Sequence, residues 1–207
     1  QWGRNFLGTP PQGRADYAFF QHILKSMDPK TGRCAILFPH GVLFRDEEVH
    51  LRKELIEADL IECVLGLGRG LFYNSPMEAC VVICQTSKPT NRAGKILLID
   101  AADQIVEEKT QSFLLPEHQK TILDAYQRFT STAKLSKVIT NEEALAKSSN
   151  LSIRLYIEKA LSNGHADLDQ DLDSTWNELE ATSGPFWAQM DELASSLDEL
   201  ITKESKQ

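Results

Sequence analysis

No run of apolar residues in this 207-residue sequence approaches the roughly 20 that a membrane-spanning helix needs, which excludes a helical membrane span. Cysteine is scarce as well. Cys34, Cys63, Cys80 and Cys84 each sit in an apolar, strand-like stretch, and no second Cys or His pair stands at zinc-ligand spacing. That pattern argues against a metal site or a disulfide framework and reads the thiols as reduced core residues. The opening Gln1-Trp2-Gly3-Arg4-Asn5-Phe6 has neither an initiator Met nor a charged-then-apolar signal, so the chain reads as an excised piece with the cytoplasm as default compartment. A basic excess is missing too: the net charge is -8, which taken alone counts against nucleic acid. The distribution of charge removes that objection, because residues 140–207 hold 14 acidic and 5 basic side chains, leaving 16 and 17 in residues 1–139. The acidity belongs to the tail.

What is present is an ordinary globular composition, 42% hydrophobic and 25% charged, with length enough for two domains. Residues 1–14 read as a loop, carrying Gly8-Thr9-Pro10-Pro11-Gln12-Gly13-Arg14. A helix starting near Arg14 or Ala15 follows from Tyr17, Phe20, Ile23, Leu24 and Met27 at three- and four-residue spacing, ended by Asp28-Pro29. Cys34 to Phe38 is short and apolar throughout, as a central strand covered on both faces would be. Glu47 to Ala58 predicts a helix burying Val49, Leu51, Leu55 and Ile56, and Leu60 to Leu65 a second central strand. Ala79 to Gln85 follows after a loop too short for a full crossover helix, so it is expected to pair antiparallel; Lys95 to Asp100 is a further strand.

Beyond Ala101 the pattern turns helical. Pro116-Glu117 opens a helix with Ile122, Leu123, Tyr126 and Phe129 on its buried side, and Thr140-Asn-Glu-Glu143 has capping-box spacing. From Leu172 the apolar residues alternate at four and three through Trp176, Leu179, Phe186, Met190, Leu193, Leu197 and Leu200, a seam wanting a partner inside or outside the chain. Residues 1–100 are therefore expected to form an α/β sheet region and 101–207 a helical tail. Two motifs are set aside. Gly66-Leu67-Gly68-Arg69-Gly70 follows a strand but leads into Phe72-Tyr73-Asn74-Ser75-Pro76, not the helix a dinucleotide fingerprint opens. Asp167, Asp169, Asp171 and Asp173 alternate, yet Leu172 or Ser174 stands where a calcium loop needs Gly.

Several stretches, in one order, resemble the M subunit of type I restriction-modification systems, an adenine-N6 DNA methyltransferase. They are Gly13-Arg-Ala-Asp-Tyr-Ala-Phe-Phe-Gln-His-Ile-Leu24, Gly32-Arg-Cys-Ala-Ile-Leu-Phe-Pro-His-Gly-Val-Leu-Phe-Arg45 and Leu51-Arg-Lys-Glu-Leu-Ile-Glu57. Gly70 to Ile83, Lys95 to Ala101 and Asn150-Leu-Ser-Ile-Arg-Leu-Tyr156 extend the likeness over roughly residues 8–157. The resemblance implies a partial Rossmann-like, S-adenosylmethionine-dependent methyltransferase sheet with one antiparallel strand, followed by a helical C-terminal region. The implied cofactor is S-adenosylmethionine. The implied partners are DNA and the specificity and restriction subunits of the type I complex.

Methyl transfer to adenine needs a flipped base held by stacking, an acceptor for its amino protons and an in-line donor. The family's Asn-Pro-Pro-aromatic acceptor and cofactor-binding glycine turn are not found in this sequence, since in Thr9-Pro10-Pro11-Gln12 Thr replaces the leading amide and Gln the aromatic, so no catalytic residue is assigned and the piece alone is expected to be inactive. By resemblance, Asp16 and Tyr17 flank the cofactor's adenine, against the plainer reading of Tyr17 and Phe20 as core. Phe72 and Tyr73 correspond to the aromatic face offered to the flipped adenine, against packing under their loop. Arg69 and Arg45 are candidate DNA contacts, against solvated arginine. His40 stands in the Pro-x-Gly turn, where it either lines the cofactor side or satisfies local backbone. Two other functions remain open: a non-enzymatic assembly module for the specificity subunit, and a methyltransferase acting on RNA or protein.

Overall fold

In a computed structural model, residues 3–72, 75, 77–107 and 112–158 are described. Among these described residues four α-helices, α1 (Asp16–Ser26), α2 (Val49–Glu57), α3 (Pro116–Arg128) and α4 (Asn141–Ala146), accompany seven strands. The strands are β1 (Arg33–Pro39), β2 (Ile61–Leu67), β3 (Ala79–Gln85), β4 (Lys95–Ala101), β5 (Val106–Glu107), β6 (Ser112–Phe113) and β7 (Ser136–Thr140). Five of them form one sheet in the order β1-β3-β2-β4-β7, and β5 pairs with β6 separately.

The sheet is mixed. β2 and β4 run parallel, while β3 runs antiparallel to both β1 and β2 and so lies between two strands of common direction. The antiparallel pairing expected for Ala79 to Gln85 is thus observed, and the crossover through α2 joins β1 to β2 past the inserted strand. β2 and β4 are buried almost throughout, as central strands with both faces occupied.

β1 departs from the central position expected for it. It lies at an edge among the described strands, and alternate residues are exposed, Leu37 at 48%. One face of β1 meets α1, where the Phe20 and Phe38 ring centroids are 5.2 Å apart; on the other face no helix of the described residues covers it. A continuous apolar run does not distinguish those two surroundings.

α1 buries Tyr17, Phe20, Gln21 and Leu24, the i, i+3, i+4, i+7 set of one helix face. Gln21 takes a place that the apolar pattern does not mark. Its Oε1 accepts from the Leu7 N–H at 2.8 Å and its Nε2 donates to the Gly8 carbonyl at 3.0 Å, tying the Gly- and Pro-rich loop to the helix. α2 begins later than expected, after a 3₁₀ turn over Asp46–Glu48, and buries Arg52 beside Leu51, Leu55 and Ile56, whereas Val49 is only half-buried.

Past residue 100 the chain is not helical alone. β7 pairs antiparallel with β4, from Lys95 opposite Thr140 to Ile99 opposite Ser136, so the sheet takes in residues up to 140. Ser136-Lys-Val-Ile-Thr140 escapes sequence reasoning because it is a short strand of mixed polarity between two helical patterns. Thr140 does cap α4, accepting from the Glu143 N–H at 3.1 Å. On α3, Ile122, Tyr126 and Phe129 are half-buried and Leu123 is 52% exposed, so the helix is less fully covered than its pattern predicts. The apolar seam from Leu172 to Leu200 lies outside the described residues.

Asp59 joins four segments at the end of α2. Its φ of 54° lets the chain leave the helix, and its carboxylate accepts from Lys88 Nζ at 2.6 Å, Asn141 Nδ2 at 2.9 Å and the Gly94 N–H at 3.0 Å. Burial raises its pKa, but those donors outweigh burial and hold the carboxyl below the usual range.

Candidate functional site

In a sheet of this type the carboxyl ends of the parallel strands are where chain segments splay apart and ligands collect. Here those ends are Pro39, Leu67 and Ala101, since Pro39 lies opposite Ala79 and Ala79 opposite Leu67, with Leu67 opposite Ala101. Around them gather the start of α1, the 3₁₀ turn His40–Leu43 and the loop after β2.

Asp16 and Arg45, assigned separately from the sequence, are brought together. Arg45 Nη1 donates to Asp16 Oδ2 at 3.1 Å and lies 3.5 Å from Glu48 Oε2. Glu48 is fully buried and neither of its carboxylate oxygens has a hydrogen-bond partner. Burial therefore pushes its carboxyl up, the Arg45 charge opposing. The sequence offers no sign of this residue, which sits among Asp46, Glu47 and Glu48, where a solvated acidic cluster would be read.

Tyr17 is buried, with its ring 5.9 Å from that of Phe20 and its hydroxyl donating to the Val42 carbonyl at 2.8 Å. Burial pushes that hydroxyl up. Arg52, also missed by sequence reasoning, donates to the same Val42 carbonyl at 3.3 Å and to the Ser149 carbonyl at 3.0 Å. Together with the Leu151 N–H bond to the Leu43 carbonyl, 2.9 Å, it fastens the Asn150–Tyr156 segment to the turn after β1. The signal is the Arg inside Leu51-Arg-Lys-Glu-Leu-Ile-Glu57, lying on the face of the helix that buries Leu51 and Leu55.

His40 places a ring nitrogen 2.8 Å from the Ala79 carbonyl, linking the turn after β1 to the start of β3. Arg69 has a side chain 68% exposed and pairs with Glu107 at 3.0 Å. Phe72 is half-buried and forms an isolated bridge with Ser75; Tyr73 lies outside the described residues. The loop glycines have packing reasons. A Cβ at Gly66 would come within 2.7 Å of Ile153 Cδ1, and Gly70 has a φ of 72° with Ser112 Oγ 2.8 Å from its would-be Cβ. No dinucleotide role is needed to explain them.

The mixed sheet with its inserted antiparallel strand between two strands of common direction is an α/β fold of the methyltransferase kind. The family model described as N-6 DNA methylase matches residues 1–163, and the chain belongs to that family. Among its relatives, the type I restriction enzyme MjaVIII methylase subunit of Methanocaldococcus jannaschii is 32% identical over 197 residues, 93% of this chain and 33% of the relative. The MjaVII methylase subunit of the same organism is 34% identical over 170 residues, covering 80% of this chain and 29% of that protein. Of solved structures, the type I methyltransferase subunit from Streptococcus thermophilus matches 72% of this chain and 31% of its own, with 33% identity and a TM-score of 0.67. The EcoKI M protein shares the fold with a TM-score of 0.59 at 15% identity, covering 75% of this chain and 40% of its own. The chain spans about a third of the length of the curated relatives it matches. No helix of the described residues is long and apolar enough to cross a membrane.

Proposed function

We propose that this chain serves as part of an adenine-N6 DNA methyltransferase subunit of a type I restriction-modification system, working with DNA, a specificity subunit and a restriction subunit in the cytoplasm. The observation that carries this reading is the Arg45–Asp16 ion pair at the carboxyl ends of the sheet, in a chain that aligns over 93% of its length with a type I methylase subunit. The cofactor of such an enzyme is S-adenosylmethionine, which supplies an electrophilic methyl group on sulfur.

The residues present fit one side of that cofactor's site. Asp16 Oδ2 is bound by Arg45, and its side chain is 34% exposed at the start of α1, so the carboxylate has a solvent-facing side as an acceptor for a hydroxyl or amino group. Tyr17 serves differently: with its hydroxyl on Val42 and its ring in the core, it fixes the start of α1 and thereby the position of Asp16. Arg45 holds Asp16 from the other side, so its main role is to orient the cofactor residue, and of the two arginines Arg69 is the better phosphate contact. Phe72 and Tyr73 belong to the loop that offers an aromatic face to the flipped adenine.

Radiolabelled S-adenosylmethionine, plasmid DNA and the intact subunit with its specificity partner provide the test, with label recovered as N6-methyladenine as the expected outcome. Label in cytosine, RNA or protein would replace this reading with another methyltransferase activity. No transfer by the assembled complex would leave the assembly-module reading.

A further inference from the structure

At the opposite end of the sheet, roughly 16 Å along β2 from Leu67 at about 3.3 Å per residue, lies a second polar cluster. Glu62 is 1% exposed. Its Oε1 accepts from Arg92 Nη1 at 2.8 Å, and its Oε2 accepts from the Tyr126 hydroxyl at 2.6 Å and from Arg33 Nη2 at 3.5 Å. Arg33 Nη2 also donates to the Tyr126 hydroxyl. A cavity of about 520 Å³ opens over this cluster, walled also by Gln85, Asn91, Leu123 and Gln127. That volume is in the range of small-molecule sites.

We propose that this cavity binds a small oxyanion, a phosphate or a carboxylate. The lining carries two guanidinium groups against one carboxylate, which leaves a positive charge uncompensated by the cavity's own side chains. Arg92 is fixed in advance: it lies 4.6 Å from the Phe129 ring centroid and 5.4 Å from that of Tyr126, and its Nη2 donates to the Gln127 carbonyl at 3.0 Å. Arg33 has a side chain 52% exposed and makes its bonds within the cluster through Nη2, so Nε and Nη1 take no part in them. An exposed guanidinium suits an oxyanion, and Asn91 and Gln85, whose Nε2 donates to the Ser87 carbonyl at 2.8 Å, line the same opening. The site is separate from the Asp16–Arg45 pair and independent of the function proposed for it.

The test is a titration of this chain with inorganic phosphate and, separately, with succinate at constant ionic strength, read from the Arg Nε–H and side-chain amide NMR signals. Saturable shifts of Arg33, Arg92, Gln85 and Asn91 are expected. Response to phosphate alone assigns a phosphate site, response to succinate alone a carboxylate site, and response to both a general oxyanion site. Arg33→Gln should weaken binding about tenfold or more, the loss of a charge-assisted hydrogen bond. Arg33→Lys, which keeps the charge and loses the fork, should weaken it less, and Lys137→Gln, at an exposed lysine of β7 that does not line the cavity, should leave it unchanged. Linear, non-saturating shifts with both anions, or equal affinity in native protein and both Arg33 variants, would overturn the proposal.

Discussion

The two faces of the sheet are covered very differently. On one, α1, α2, α4 and the segment 151–157 close over β1 to β4, and Leu51, Leu55, Ile56, Ile96, Leu98 and Leu151 are all within 1% of complete burial. On the other, α3 is the helix that contributes to the core among the described residues, joining Ala125 to Cys63, Leu97 and Ile99. There an apolar cavity of about 360 Å³ remains between β2, β3, β4 and α3, lined by Leu65, Ile83 and Ile122 among others. On the first face most core side chains are almost completely buried, whereas on the second the strand residues Cys63, Leu97 and Ile99 are buried but the apolar residues of α3 around them keep part of their exposure. Stability should reside in the first face, because burial energy follows area removed from water.

Core truncation sharpens this contrast most. Leu55→Ala, at a site with no exposure, is expected to cost about 3 kcal/mol in urea unfolding, whereas Leu123→Ala on the open face should cost under about 1 kcal/mol. Equal losses would erase the distinction. Next in size is Asp59→Ala, which leaves Lys88, whose side chain is 1% exposed, without its carboxylate; about 2 kcal/mol is expected. Asp59's folded pKa is lowered, so its contribution is present above the ordinary carboxylate range and is lost as pH falls through the folded value. The cost of Asp59→Ala should therefore shrink on acidification, as melting curves at descending pH would reveal.

Glu48→Gln should produce the smallest change and the opposite sign. Its folded pKa is raised, so stability declines as pH rises from the ordinary carboxylate range through the folded value. The amide removes that decline while its oxygen still faces the Arg45 guanidinium. Melting temperature should rise at pH 8 and stay level at pH 4, and a loss at both pH values would show the buried carboxylate to be stabilising as an ion.

Much of this is legible in the sequence, for reasons that differ by element. β2, β3 and β4 are legible because strands buried on both faces carry predominantly apolar runs, and the short link between β2 and β3 dictates their antiparallel pairing. β1 has an equally apolar run, but only its neighbours decide whether it is central or an edge. β7 escapes because its five residues carry no clear alternation. At the site, Asp16 and Arg45 each stand out in the sequence, yet their pairing spans 29 positions and is set by the tertiary fold. Gln21 and Glu48 do not stand out, for one reason: polar residues are normally exposed, and their burial here rests on loops whose path no local pattern specifies.

Central to the proposed function is that the carboxyl ends of β1 and β2, with Asp16 held by Arg45, form the cofactor side of a methyltransferase. Steady-state methylation by the intact subunit with its specificity partner, native against Asp16→Ala, tests this most directly when S-adenosylmethionine is varied at saturating DNA. The predicted result is a KM for S-adenosylmethionine raised about tenfold or more with the melting temperature little changed. An unchanged KM in a folded, assembled Asp16→Ala enzyme would contradict it.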